Sequence, residues 1–261
     1  MKKIIILTLI LISGYFFFYE NSSTTIDNKL SIHATSNSIH NGNLIVVNKY
    51  TKLQQDPTNL NVIPKNFANN VLIDSDYYIE EGILEPLRQM FQAAEADGIY
   101  HFRINSAYRD EQLQAHLYEE NGSDYAQPAG FSEHQTGLAL DIGSTQGTMD
   151  TAPEATWLAE HAAEFGFILR YPAHKFHVTG ISFEPWHYRY VGLPHSIIMQ
   201  EKDLTLEEYI TFLKQKTEYS QEVNGVNYFI QYVEELTNPE ANYFDISGDN
   251  QNAYIVTTIE N

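Results

Sequence analysis

The chain of 261 residues contains no cysteine. This absence excludes a disulfide scaffold, a cysteine nucleophile and a cysteine-ligated structural zinc site. Positive charge is also scarce, because 15 lysine and arginine residues stand against 34 aspartate and glutamate residues, for a net charge of −19. Such a balance argues against nucleic acid as a partner, since phosphates require a basic surface.

Long apolar runs are absent except near the N-terminus. Lys2 and Lys3 precede an apolar run over residues 4–19, which is slightly long for the core of a signal peptide and slightly short for a membrane span. No cleavage site of small residues follows it. We therefore expect residues 1–19 to be an uncleaved membrane anchor that holds the remaining chain outside the cell membrane. A cleaved signal peptide, with secretion or wall association, is the alternative.

Three further regions follow this segment. Residues 20–43 are polar and lack an apolar period, which is typical of a linker. Residues 44–216 form the main predicted domain, and residues 217–261 a small C-terminal β appendage. Because helices and strands mix without a regular βαβ alternation, the fold class is predicted as α+β, with a mainly antiparallel sheet flanked by helices.

Apolar periodicity and capping residues place the elements of this fold. Helices are predicted over residues 79–97, 110–120 with Asp110 as N-cap, 153–165, and 205–216 with a capping box of Thr205 and Glu208. Strands are predicted over residues 44–48, 100–106, 138–142, 167–170, 181–190, 226–232 and 253–257, the last following a turn at residues 247–250.

Two short runs, residues 132–141 and 184–187, carry a candidate metal site. His134, Asp141 and His187 would supply three ligands, which is the number that a catalytic zinc ion takes from protein while one position stays open for water. Glu184 remains as a general base. The sequence therefore predicts one Zn²⁺ per chain and a hydrolytic reaction.

The spacing within these runs makes two geometric predictions. Gly137 permits a tight turn after His134, and alternation along the next strand directs Asp141 away from its apolar face. Glu184 and His187 are three residues apart and would face opposite sides of a regular strand. A bend or bulge near Pro185 is therefore required if both are to reach one metal ion.

A second histidine pair, His174 and His177, lies beside Lys175. An H-x-x-H spacing is compatible with a second metal site. A solvated loop is the simpler interpretation, and it is the one we adopt.

The motif residues resemble a known family. Ser132-Glu133-His134-Gln135-Thr136-Gly137-x-Ala139-x-Asp141, followed by residues 184–192 (EPWHYRYVG), closely resembles the VanY-type carboxypeptidases. These belong to the metallopeptidase superfamily that also holds lysostaphin-like enzymes and the hedgehog signalling domain. The resemblance covers roughly residues 44–212 and includes Ser106-Ala107-Tyr108-Arg109, where the family usually has glycine in place of Ala107.

The resemblance implies a role for each motif residue. His134, Asp141 and His187 match the zinc ligands, Glu184 matches the catalytic base, and Arg109 matches the arginine that polarises the scissile carbonyl. Ser132 and Gln114 stand at substrate-binding positions.

The resemblance also implies a substrate. The expected activity is D,D-carboxypeptidase removal of the C-terminal D-alanine from peptidoglycan stem pentapeptides. L,D-carboxypeptidase action on tetrapeptides is the first alternative. An endopeptidase and a non-catalytic wall-peptide-binding module follow, and the intact Glu184 and Arg109 argue against the module. Specificity is expected from loops over residues 121–130 and 171–180. Apart from the resemblance, we expect the protein to be monomeric.

Overall fold

The computed structural model describes residues 38–122, 127–237 and 243–260. The predicted anchor over residues 1–19 and most of the predicted linker lie outside these ranges. No helix within the ranges is long and apolar enough to cross a membrane.

Helices and strands alternate irregularly along the chain, as an α+β fold requires. The strands are β1 (Leu60–Val62), β2 (Val71–Leu72), β3 (Tyr78–Glu80), β4 (Phe102–Ser106), β5 (Ala139–Ser144), β6 (Phe167–Leu169), β7 (His187–Tyr190), β8 (Glu218–Val223), β9 (Val226–Val233), β10 (Asp245–Gly248) and β11 (Tyr254–Glu260). The helices are α1 (Leu84–Ala96), α2 (Glu111–Asn121), α3 (Pro153–His161), α4 (Phe176–Thr179), α5 (His195–Glu201) and α6 (Leu206–Lys216). Short 3-10 helices lie at Glu81–Ile83, Glu133–Thr136, Ala162–Phe165 and Ala173–Lys175.

A five-stranded central sheet has the order β2-β4-β5-β7-β6, and all its neighbours are antiparallel except β2 and β4. Apolar residues of β4 and β5 share one buried cluster with α1 and α3, which include Phe91 and Leu158. The mainly antiparallel sheet flanked by helices is therefore confirmed. Strands β1 and β3 form a separate two-stranded sheet.

The C-terminal strands form a second antiparallel sheet with the order β10-β11-β9-β8. Ile230 and Ile255 from this sheet share an apolar cluster with Tyr209 and Leu213 of α6 and with Leu44. The sheet thus packs against helices of the preceding region. The proposed boundary between residues 216 and 217 stays a prediction.

The predicted strand over residues 44–48 is wrong. Residues 44–47 are buried, but the only bridge that the stretch makes within the described ranges joins Asn48 to Thr51. Its polar backbone groups bond elsewhere: Arg189 donates to the carbonyl oxygens of Asn43 and Ile45, and the Leu44 N–H donates to the Ser247 hydroxyl. Buried backbone groups need partners of any kind, and here side chains and the Asp249 carbonyl oxygen, which accepts from the Val46 N–H, take the place of a strand ladder.

Other boundaries also differ from prediction. The helix expected from residue 79 begins at Leu84, because Ile79 pairs with Asn61 of β1. The strand expected over residues 181–190 is confined to β7, and Ser247 and Gly248 belong to β10 rather than to a turn. Both predicted caps are confirmed, since Asp110 accepts from the Leu113 N–H and Thr205 forms a full capping box.

Candidate active site

A buried 3-10 turn presents His134 to the central sheet. The turn ends at Gly137, whose φ of +73° is left-handed and where a Cβ atom would lie 2.7 Å from a Leu60 methyl carbon. Glycine is therefore required at this point, as the sequence predicted. His134 Nδ1 lies 2.7 Å from the Ala107 carbonyl oxygen, to which it must donate. The Nε2 atom is thereby left as the metal-binding nitrogen.

The other two candidate ligands face each other across neighbouring strands. Asp141 of β5 pairs directly with His187 of β7. Immediately before β7, the His187 N–H donates to the Glu184 carbonyl oxygen at 3.2 Å, with Pro185 and Trp186 at the centre of the turn. The bend predicted at Pro185 is confirmed.

Three side-chain atoms converge on one point. His134 Nε2 and His187 Nδ1 each lie 3.4 Å from Asp141 Oδ1, and the three candidate ligand atoms all lie within 4.8 Å of one another. With bonds of about 2.0–2.1 Å, neighbouring ligands of a tetrahedral zinc ion lie about 3.3–3.4 Å apart. Asp141 Oδ1 is buried without a hydrogen bond. A buried carboxylate oxygen that lacks a hydrogen bond and lies between two imidazole nitrogens is a suitable ligand for a metal cation.

The electrostatics favour a bound cation. Burial alone would raise the pKa of Asp141, but the neighbouring imidazoles, His134 foremost, hold that pKa well below its usual range. Burial would lower the pKa of His187, yet Asp141 and Glu133 raise it to about 9. Burial lowers the pKa of His134. The carboxylates thus supply negative charge that a metal ion would neutralise in place of a proton.

Glu184 lies beside the three ligands. Its Oε2 atom is 3.5 Å from His187 Nδ1, and its side chain is 27% exposed. Burial raises the pKa of Glu184, and the charges of Asp141 and Glu133 raise it further. A carboxylate with a raised pKa exchanges protons more readily near neutral pH, as a general base requires.

Arg109 contacts the second carboxylate oxygen of Asp141, the one that does not face the imidazoles. Its guanidinium donates to Asp141 Oδ2 at 3.1 Å, to the Ser106 hydroxyl at 3.0 Å and to the Gln114 amide oxygen at 3.3 Å. A register shift in β4 between Ile104 and Ser106 places Ser106 opposite Asp141. These contacts fix the guanidinium at the site.

The two predicted substrate-binding residues are placed differently. Gln114 is fully buried, and its amide nitrogen donates to the Gln127 carbonyl oxygen at 2.7 Å while its oxygen accepts from Arg109. Its polar atoms therefore support Arg109, and direct contact with a substrate stays a prediction. Ser132 is buried at the start of the 3-10 turn that carries His134, and its hydroxyl makes no capping hydrogen bond.

Sequence reasoning missed a buried group of charges behind His187. Glu133 accepts from Arg170 and Arg189, each at 2.8 Å, and Tyr171 lies with its ring centroid 4.8 Å from that of His187. Glu133 stands next to a ligand in the sequence, which was the available signal.

The H-x-x-H pair does not form a second centre. His174 is exposed, and its Nε2 lies 2.9 Å from an Asp203 carboxylate oxygen at the surface. Across the described residues, a group of three or more suitable ligand atoms occurs only at His134, Asp141 and His187.

Comparison with known proteins identifies the family. Residues 76–193 match the family model of VanY, D-alanyl-D-alanine carboxypeptidase. A D-alanyl-D-alanine carboxypeptidase of Enterococcus faecium is 41% identical over 245 residues, covering 90% of this chain and 81% of the relative. The chain belongs to the VanY family of D-alanyl-D-alanine carboxypeptidases. It is a metallocarboxypeptidase, as the motifs predicted.

Two solved structures of similar proteins support this placement. A vancomycin-resistance D,D-dipeptidase, VanXYg, in complex with a D-Ala-D-Ala phosphinate analogue is 30% identical, with a TM-score of 0.73, over 85% of this chain and 95% of its own. A mutant of the D,D-pentapeptidase VanY in complex with Zn(II) is 33% identical, with a TM-score of 0.56, over 64% and 98%. Both neighbours are D,D-peptidases, in agreement with the family model and the Enterococcus faecium relative, which are D-alanyl-D-alanine carboxypeptidases; together these matches do not favour the L,D alternative.

Proposed function

We propose that this VanY-family metallocarboxypeptidase hydrolyses the terminal D-Ala-D-Ala bond of peptidoglycan stem pentapeptides and releases D-alanine. His134, Asp141 and His187 would hold one Zn²⁺. The observation that carries the proposal is the convergence of their ligand atoms, with Glu184 Oε2 3.5 Å from His187 Nδ1 and an Arg109 guanidinium nitrogen 3.1 Å from Asp141 Oδ2. A similar D,D-pentapeptidase binds Zn(II), which supports the choice of metal.

Glu184 serves as the proton carrier of the reaction. When bound, zinc acts as a Lewis acid toward the scissile carbonyl and makes water a better nucleophile at neutral pH. The Glu184 carboxylate accepts a proton from the attacking water, and the carboxylic acid so formed returns that proton to the amine nitrogen of the departing D-alanine. The raised pKa of Glu184 suits both transfers.

Arg109 stabilises the negative charge that develops on the carbonyl oxygen. Its guanidinium is fixed beforehand by Asp141, Ser106 and Gln114, so little reorganisation is needed when that charge appears. Ser132 lies next to the ligand turn, and its hydroxyl is suited to bind the substrate's terminal carboxylate or backbone.

Full-length protein with detergent, incubated with synthetic penta- and tetrapeptide stems, tests the proposal. D-alanine should be released from the pentapeptide, release should stop with a chelator, and added Zn²⁺ should restore it. Release from the tetrapeptide alone would contradict D,D specificity. An internal cut would revive the endopeptidase, and zinc-dependent peptide binding without any release would revive the binding module.

A second candidate activity is hydrolysis of free D-Ala-D-Ala. The similarity to the D,D-dipeptidase covers 85% of this chain, against 64% for the D,D-pentapeptidase. The same assay with the free dipeptide decides this point, because a pure carboxypeptidase leaves the dipeptide intact.

The N-terminal segment suggests where the reaction takes place. We propose that residues 4–19 anchor the protein in the cell membrane with the catalytic region outside, and that the enzyme is monomeric. Membrane fractionation and protease access to intact cells test the location, and light scattering of the purified protein tests the monomer. Full-length protein in the culture medium would contradict the anchor.

A further inference from the structure

Glu133 lies at the centre of a buried cluster of charged side chains beside His187, which also contains Arg170, Arg189 and Glu207. Its side chain is fully buried, and its Oε1 atom accepts hydrogen bonds from Arg170 Nε and Arg189 Nη1, both at 2.8 Å. Its Oε2 atom lies 3.6 Å from His187 Nε2. Both of these facing atoms are buried and have no hydrogen-bond partner among the described residues.

Glu133 Oε2 and His187 Nε2 can act as acceptor and donor of one hydrogen bond. His187 turns Nδ1 toward Asp141 and Glu184, so Nδ1 is its candidate metal-binding nitrogen. A neutral imidazole that binds metal through Nδ1 carries its hydrogen on Nε2 and needs an acceptor there. Glu133 Oε2 is the acceptor in place. Their separation exceeds an ordinary N–H···O distance of about 2.7–3.2 Å by only a few tenths of an ångström.

The position of Glu133 is fixed by several separate parts of the fold. Arg170 also binds both carboxylate oxygens of Glu207 on α6, at 2.6 and 3.0 Å. Arg189 also donates to the carbonyl oxygens of Asn43 and Ile45, at 3.0 Å each. Two carboxylates balance two guanidinium groups, so the buried charges are paired and hydrogen-bonded, as burial requires.

We propose that Glu133 is a positioning residue, which accepts a hydrogen bond from His187 Nε2 and so holds His187 Nδ1 toward the metal ion. The inference rests on the proposed zinc site. Arg170 and Arg189 fix the Glu133 carboxylate, and Glu207 extends this support to α6. Partners of this kind behind a ligating histidine are typically worth about 10- to 100-fold in metal affinity.

Zinc affinity of full-length Glu133→Gln, measured by competition with a chromogenic chelator, tests the proposal. We expect zinc to bind about 10- to 100-fold more weakly than in the unsubstituted protein. Glu154→Gln is the matched control, because Glu154 is also buried, at 1% exposure, and lies on α3. It should bind zinc as the unsubstituted protein does. Equal affinities in all three proteins would overturn the inference.

A second measurement needs no substitution, so a failure of Glu133→Gln to fold does not remove the test. Long-range ¹H–¹⁵N spectra of the zinc-loaded protein report which ring nitrogen of each histidine carries hydrogen. We expect hydrogen on Nε2 of His187 and on Nδ1 of His134. Hydrogen on Nδ1 of His187 would contradict the proposed role of Glu133. Failure of the unsubstituted protein to bind zinc would contradict the proposed function itself.

Discussion

Two buried histidines, His187 and His195, have surroundings of opposite character. His195 is fully buried, with Nδ1 2.8 Å from the Tyr209 hydroxyl and Nε2 3.2 Å from the Thr257 hydroxyl. Burial lowers its pKa to about 3. His187 is 5% exposed but lies among carboxylates, which overcome the effect of burial and raise its pKa to about 9.

This difference in surroundings and pKa indicates that His195 stabilises the fold, whereas His187 belongs to the proposed metal site. The hydroxyls of Tyr209 on α6 and Thr257 on β11 are hydrogen-bond partners for the two ring nitrogens of His195, at the start of α5. Its imidazole therefore remains uncharged.

Around His187 the carboxylates of Asp141, Glu133 and Glu184 concentrate negative charge, which favours the binding of a cation. Substitutions near His187 should therefore change metal binding and catalysis, whereas substitutions near His195 should change stability.

The largest effect is expected from Glu184→Gln. Removing the proton acceptor beside His187 should lower kcat by about 10²- to 10⁴-fold, the usual contribution of a general base. Zinc content should stay near that of the unsubstituted protein, because Glu184 is not among the three converging ligands. Kinetics of D-alanine release and metal analysis of one preparation check both. Near-normal kcat would remove Glu184 from its assigned role.

Arg109→Gln should have the next largest effect. Loss of the fixed donor is expected to lower kcat by about 10²- to 10³-fold. Arg109 lowers the pKa of Glu184, so its loss should raise that pKa further. Glu184 must be deprotonated to accept a proton, and the acid limb of the kcat/KM profile should therefore move to higher pH. A limb that moves to lower pH would contradict the assigned interaction.

His195→Gln should change the pH dependence of stability. The pKa of His195 is about 3 in the folded protein, below the ordinary value of about 6.5, so the unfolded chain binds the extra proton. Its neutral, buried form therefore stabilises the fold fully above about pH 6.5 and progressively less as the pH falls, by about 3 kcal/mol between pH 7 and 4. Denaturant titrations at both pH values should show a smaller loss for His195→Gln. An equal loss would contradict burial of a neutral imidazole.

Tyr209→Phe should have the smallest effect. The substitution removes one hydroxyl and leaves His195 Nδ1 without its partner, which should lower the free energy of unfolding by about 1–2 kcal/mol. Thermal and denaturant unfolding measure the loss. Because the hydrogen-bond and ring partners given for Tyr209 among the described residues, His195 and Phe212, do not belong to the proposed site, kcat/KM should stay within about twofold. A large fall in kcat/KM would contradict the conclusion that the surroundings of His195 serve stability and not catalysis.

Local sequence patterns predicted how the site would be assembled. Gly137 ends the turn that holds His134, alternation in β5 directs Asp141 toward the site, and the turn at Pro185 places Glu184 beside His187. Each of these features depends on neighbours within a few residues. The structure brings these side chains together as predicted.

Two features that depend on distant residues were not predicted. Glu133 bonds to Arg170 and Arg189, which lie 37 and 56 residues away, and the place of an acidic residue within a motif does not show whether it is buried. The apolar stretch at residues 44–48 has the composition of a strand, but its backbone partners include side chains of β7 and of the C-terminal sheet and no neighbouring strand among the described residues. Periodicity does not distinguish a paired strand from a buried, unpaired segment held in this way.

Zinc content and pentapeptidase activity of His187→Ala and His195→Ala, measured together on the full-length proteins, test the central claim most directly. We expect one zinc ion per chain and D-alanine release in the unsubstituted protein and in folded His195→Ala. His187→Ala should retain neither. Zinc binding and undiminished pentapeptide hydrolysis in His187→Ala would contradict the assignment of the metal centre.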